Sequence, residues 1–212
     1  MAERQVYVDY NATTPLKDGV KAAMINDLDI FGNASSMHRA GRLAHARVEE
    51  ARAAVALLLG APAKDIVFSS GGSESNNTLF ATMRSLASAS DGSPLTTGRR
   101  EFIITDIEHP CVFNSAEHTR NLGFKVTSIP VDGCGKVKLD ALKAALSEKT
   151  LFVSVMMANN EIGTVQDIKE ITRLVKEAGA FMHTDAIQAV GKIPVDVVDL
   201  GVDYLTLSAH KI

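Results

Sequence analysis

Leu151-Phe152-Val153-Ser154-Val155-Met156 runs directly into Met157-Ala158-Asn159-Asn160-Glu161-Ile162-Gly163. The first six residues read as a buried strand, and the chain turns polar at its end. The same form recurs along the sequence. Residues 65–70 lead into Gly71-Gly72-Ser73, and residues 101–106 into Glu108-His109-Pro110-Cys111. Residues 180–184 lead into Asp185-Ala186-Ile187-Gln188, and residues 202–207 into Ser208-Ala209-His210-Lys211. Helical patterns lie between most of these runs, over residues 78–87, 112–122, 139–146 and 167–178. Strands alternating with helices predict an α/β fold, a three-layer α/β/α arrangement with a mainly parallel sheet. In such sheets ligands bind beyond the carboxyl ends of the strands.

The N-terminal part reads less regularly. Val6-Tyr7-Val8-Asp9-Tyr10 is expected to be a short strand. A helix is expected from Thr14-Pro15, with Val20, Ala23, Met24 and Leu28 at helical spacing. A polar loop at residues 31–36 precedes a long helix over about 37–59, which Gly60 closes. Residues 88–100 read as a surface loop. For domains, residues 1–15 are expected to form an N-terminal segment packing with a further small domain, and residues 16–212 a large domain.

Composition narrows the function classes. The chain has 212 residues, of which 46% are hydrophobic, so a large core is available. The net charge of −3, with no basic run, gives no reason to expect nucleic acid or an anionic membrane as partner. No apolar run is long enough to span a bilayer. The polar start, Met1-Ala2-Glu3-Arg4-Gln5, lacks the apolar region of a secretory signal. Two cysteines, Cys111 and Cys134, make no disulfide framework. A cytoplasmic location is the default expectation. The sequence stops one residue after Lys211, which reads as the N-terminal portion of something longer.

Lys211 stands just past a strand end. Burial there disfavours an ammonium, so the free amine becomes an imine-forming nucleophile. Ser208 and His210 precede it and can hold an anion. Gly72 and Ser73 open a helix whose free N–H groups suit a phosphate. The spacing matches neither the dinucleotide fingerprint nor the P-loop. Asp185 can face a pyridinium nitrogen, Asn160 and Gln188 can bond a ring oxygen, and His109 can stack on a ring and move protons. Each has an ordinary role too: His109 as a helix-start residue, Asn160 and Asp185 as caps, Gln188 as an exposed helix residue. Their common place after strands argues for one site. The set matches the needs of pyridoxal 5′-phosphate: a lysine, a carboxylate for the ring nitrogen and a phosphate cup. Metal ligands are not expected.

The sequence resembles the cysteine desulfurases of the NifS/IscS type, within the class V aminotransferases. The resemblance rests on seven motifs in the family's order. They are residues 7–15, Gly32-Asn33-Ala34-Ser35-Ser36-Met37-His38, residues 68–76, Glu108-His109, Asn159-Asn160-Glu161-Ile162-Gly163, His183-Thr184-Asp185-Ala186-Ile187-Gln188 and Ser208-Ala209-His210-Lys211. Two departures are small. The family often has Gly-Ala-Thr near Gly72-Ser73, and Ser-Gly-His-Lys where this chain has Ala209.

The resemblance implies a homodimeric fold-type I enzyme that takes L-cysteine to L-alanine. It would pass sulfur as a persulfide to an acceptor such as an iron–sulfur scaffold. Lys211 would hold the cofactor and shuttle the Cα proton, and His109 would stack on the ring and assist acid–base steps. Gly72, Ser73, Asn160, Asp185, Gln188, Ser208, Ala209 and His210 would complete the cofactor site. Asn33 would help hold the substrate carboxylate. In the family the sulfur-accepting cysteine and a carboxylate-binding arginine lie well beyond the lysine. The 212 residues are therefore expected to be incomplete for turnover. Cys111, beside His109, offers an alternative nucleophile but is read first as a helix-packing thiol. Another class V enzyme (a selenocysteine lyase or small-amino-acid aminotransferase) and an inactive fragment are the rival readings.

Overall fold

The computed structural model describes residues 6–89 and 98–212. The chain divides into two compact units, one ending at Phe68 and one beginning at Ser69.

The first unit is helical. Helix α1 spans Asp18–Asp27, later than the expected start at Thr14-Pro15, and buries no residue. Helix α2 spans Arg39–Leu59. The His38 side chain accepts the Gly41 N–H at its start. Gly60 ends it at φ 67°, a left-handed cap that glycine adopts without strain. Two expected strands are absent. At residues 6–10 the chain curls locally, and the Tyr7 hydroxyl donates to the carbonyls of Asp9 and Thr13. At residues 65–70 a 3₁₀ turn, Ala63–Asp65, gives way to irregular backbone. Among the described residues no strand pairs with it, so the apolar pattern has no ladder to join. Val67 and Phe68 are exposed, and the Arg52 guanidinium lies 4.9 Å from the Phe68 ring centre.

The second unit carries the sheet. In chain order its main elements are α3 (Gly72–Ser88), β1 (Glu101–Thr105), α4 (Pro110–Asn121), β2 (Lys125–Ile129), α5 (Leu139–Ala145), β3 (Thr150–Met156), α6 (Ile168–Glu177), β4 (Phe181–Asp185), α7 (Val197–Leu200) and β5 (Tyr204–Thr206). The expected loop over 88–100 falls mostly outside the described residues. All four pairings are parallel, in the order β2-β1-β3-β4-β5. The chain steps one way from β1 to β2, then back across to β3, β4 and β5. With right-handed crossovers this sends α4 to one face and α5 and α6 to the other, giving three layers.

Side-chain alternation agrees. Phe102 and Ile104 of β1 and Phe152 of β3 pack with Phe80 and Met83 of α3 and Val112 and Ala116 of α4. Ile103, Val153 and Met182, one residue out of phase, are equally buried. Helix α6 buries Ile168, Ile171 and Val175 at helical spacing. Its first turn is capped by the Asp167 carboxylate, which accepts the Glu170 N–H. No helix among the described residues is long and apolar enough to cross a membrane.

Strand order reverses between β1 and β3, and the crevice at such a switch point is where open parallel sheets bind ligands.

Candidate active site

A cavity of about 80 Å³ opens beyond the strand ends. Nine residues expected at the site line it: Gly72, Ser73, His109, Asn160, Asp185, Gln188, Ser208, His210 and Lys211. They arrive from several elements. Gly72 and Ser73 open α3, whose N-cap, Gly71, contributes no capping side chain. The first N–H groups of α3 have no acceptor within the helix and carry the positive end of its dipole. His109 is the N-cap of α4, its Nδ1 accepting the Cys111 N–H at 3.2 Å. Asn160 sits on the turn after β3. That turn is built by Asn159, whose Oδ1 accepts the N–H groups of Glu161 and Ile162 at 2.8 and 3.0 Å. Gln188 Oε1 accepts from Lys192 Nζ at 2.6 Å.

Ser208 is buried, and the short 3₁₀ turn Ala209–Lys211 follows it. Ala209 does not line the cavity. Lys211 is only partly buried, not enclosed in an apolar pocket, because a polar strand end surrounds it. Asn33 belongs to the first unit, where its Oδ1 accepts the Ser35 N–H at 2.9 Å and holds its own loop.

Asp185 is the last residue of β4 and is 3% exposed. Burial pushes its carboxyl up. The Ile187 N–H and the Asn76 amide oppose that, and the charges of His109 and Lys211 add to the opposition. The two carboxylate oxygens accept from Ile187 N at 3.0 Å and Asn76 Nδ2 at 2.8 Å.

Three contributors were not assigned to the site by sequence reasoning. Asn76 is fully buried; the helical pattern is expected only from residue 78, whereas α3 begins at Gly72 and carries Asn76 inward. Cys111 lines the cavity rather than serving helix packing alone, with Sγ 2.9 Å from His109 Nδ1 and 3.3 Å from Asn76 Nδ2. Burial holds its thiol above the usual range, so it stays protonated at neutral pH. Glu108, quoted only as the neighbour of His109, is buried beneath the site, and burial pushes its carboxyl up to about 8. The adjacent motif letters were the only available signal for either residue. Among the described residues no cluster suited to a metal ion occurs.

The donor set fits pyridoxal phosphate. A primary amine, a buried carboxylate and an uncapped helix N-terminus share one cavity. The parallel sheet with flanking helices is the fold of fold-type I pyridoxal-phosphate enzymes, as its structural neighbours have it. A family model, aminotransferase class-V, matches residues 6–212, and the chain belongs to that family.

Cysteine desulfurase IscS of Dictyoglomus turgidum (strain DSM 6724 / Z-1310) is 45% identical over 210 residues, covering 99% of this chain and 51% of that protein. Cysteine desulfurase of Sinorhizobium fredii (strain NBRC 101917 / NGR234) is 41% identical over 211 residues, covering 98% and 52%. Among solved structures, a NifS-like protein superposes with a TM-score of 0.89 at 39% identity, covering 98% of this chain and 56% of that one. A structure described as SspA in complex with cysteine gives 0.87 at 34% identity, covering 97% and 57%. The chain spans about half the length of the curated relatives it matches.

Proposed function

We propose that this chain forms the cofactor site of a pyridoxal-phosphate-dependent cysteine desulfurase, which converts L-cysteine to L-alanine and hands on the sulfur as a persulfide. The observation that carries the reading is the convergence of Lys211, His109 and Asp185 on one cavity at the strand ends. The relatives named above, which are called cysteine desulfurases, support the choice of substrate.

Pyridoxal phosphate, when bound, supplies an electron sink conjugated to the substrate Cα. Lys211 Nζ is the covalent anchor and the base that takes and returns the Cα proton. Asp185 faces the ring nitrogen, and its carboxylate keeps a proton there. Gly72, Ser73, Ser208 and His210, with the backbone at Ala209, hold the phosphate. Asn160 and Gln188 bond the ring oxygen. His109 lies against the ring and moves protons. Asn33 binds the substrate carboxylate. A homodimer in the cytoplasm, delivering sulfur to an acceptor such as an iron–sulfur scaffold, completes the reading on family grounds.

The test is substrate protection. The protein is loaded with pyridoxal phosphate, mixed with L-cysteine or with D-cysteine, and reduced with borohydride. L-cysteine should spare Lys211 from reductive fixation and D-cysteine should not. Equal fixation of Lys211 with and without L-cysteine contradicts the reading.

A further inference from the structure

Asp185 is the end of a buried chain of hydrogen bonds. Asn76 Nδ2 lies 2.8 Å from Asp185 Oδ2, and Asn76 Oδ1 lies 2.8 Å from Thr206 Oγ1. Thr206 Oγ1 is 3.2 Å from His183 Nε2, and His183 Nδ1 is 2.9 Å from Ser154 Oγ. All five residues are at least nine-tenths buried, so water cannot replace a lost partner. The sheet register sets the row: Ser154 pairs with His183, and Asp185 with Thr206, on the face that α3 covers. Asn76 reaches down from α3 to join it.

The direction of each bond follows from what each atom can do. The carboxylate accepts only, so the Asn76 amide nitrogen must face it and Oδ1 must face Thr206. Thr206 has one proton, and Oδ1 takes it. Thr206 Oγ1 can then only accept from the imidazole, which puts the single proton of a neutral ring on Nε2. His183 Nδ1 is left to accept the Ser154 hydroxyl proton. Burial depresses the His183 imidazole to about 3, so the ring is neutral. Its ring stacks on Phe152, centroids 5.9 Å apart at 12°, which fixes its plane.

We infer that Ser154, His183, Thr206 and Asn76 form a one-way relay of donors aimed at Asp185, positioning its carboxylate and holding it ionised. The role given to Asp185 rests on the proposed cofactor reading; the relay itself does not. Bonds that all point one way polarise each other, so the last donor is strengthened by those behind it. The other groups facing Asp185 are Glu108, Cys111, His109 and Lys211. None of them is a member of the relay.

The experiment is nuclear magnetic resonance of the protein without cofactor. With ¹⁵N-labelled histidine, His183 at neutral pH should show a protonated Nε2 and a bare Nδ1. A protonated Nδ1, or an imidazolium, would overturn the relay without any variant. With ¹³C-labelled aspartate, Thr206→Val should raise the Asp185 midpoint by roughly one pH unit, the size expected for weakening a bond to a charged group. Thr206→Ser, which keeps the hydroxyl, should leave it in place. Equal midpoints in the two variants would also overturn the relay. Pyridoxal phosphate missing Lys211 would defeat the cofactor reading and leave these outcomes unchanged.

Discussion

Glu108 Oε1 accepts the backbone N–H of Met156 at 2.9 Å, tying the segment after β1 to the last residue of β3. The same oxygen accepts from the Thr105 hydroxyl, while Oε2 has no hydrogen-bond partner among the described residues. Burial, with a smaller contribution from the charge of Asp185, raises this carboxyl to about 8. It is therefore a neutral acid at pH 7.

The pH dependence of stability follows from that. An unfolded glutamate titrates at about 4.3. Between that value and about 8 the folded chain holds a proton that the unfolded chain has lost. The stabilisation is complete below the lower value and is lost as pH rises through the upper one. Glu108→Gln keeps the acceptor and cannot ionise. Relative to wild type it should gain on the order of 1 kcal/mol per pH unit between pH 5 and 8. Urea denaturation across that range measures it, and parallel curves for the two proteins would refute the assignment.

The two cysteines should differ in reactivity. Cys134 is exposed, while Cys111 is part-buried with a thiol raised chiefly by burial. A maleimide at pH 7 should label Cys134 several-fold faster, since reaction follows thiolate fraction and access. Because Cys111 lines the cavity, added pyridoxal phosphate should slow its labelling further and leave Cys134 unchanged. Peptide mass spectrometry reads both rates. Equal slowing at the two cysteines would contradict the placement.

Gly72 lies against the end of a neighbouring side chain. A Cβ there would sit 2.1 Å from Ile187 Cδ1, which also lines the cavity. Gly72→Ala should push Ile187 into the cofactor space and weaken pyridoxal phosphate uptake by about tenfold, a cost near 1.4 kcal/mol. Adding Ile187→Val removes the offending methyl and should restore most of the uptake. An equally weak double variant would show that the collision is not the cause.

Much of this was legible in the sequence, and the exceptions share a cause. Four of the five paired strands announce themselves as apolar runs, and seven of the nine expected residues that line the cavity lie at or just after the ends of those strands, which share one edge of the sheet. Residues 65–70 carry the same apolar signature yet form no strand, because pairing depends on a partner that local pattern does not contain. Asn76 and Thr206 were invisible for a similar reason. They meet across 130 positions, and nothing near either residue encodes the other. Cys111 reads first as packing from its helical neighbours, and its place in the cavity, with the sulfur 2.9 Å from His109 Nδ1 and 3.3 Å from Asn76 Nδ2, depends on contacts the local pattern does not contain.

The most direct measurement of the central claim is the site of covalent attachment. The protein is incubated with pyridoxal phosphate, reduced with borohydride and mapped by peptide mass spectrometry, beside Lys211→Ala. The account predicts one cofactor adduct on Lys211 and none in the variant. Fixation on Lys192, whose amine bonds Gln188 close to the cavity, or an equal yield of adduct in Lys211→Ala, would contradict it.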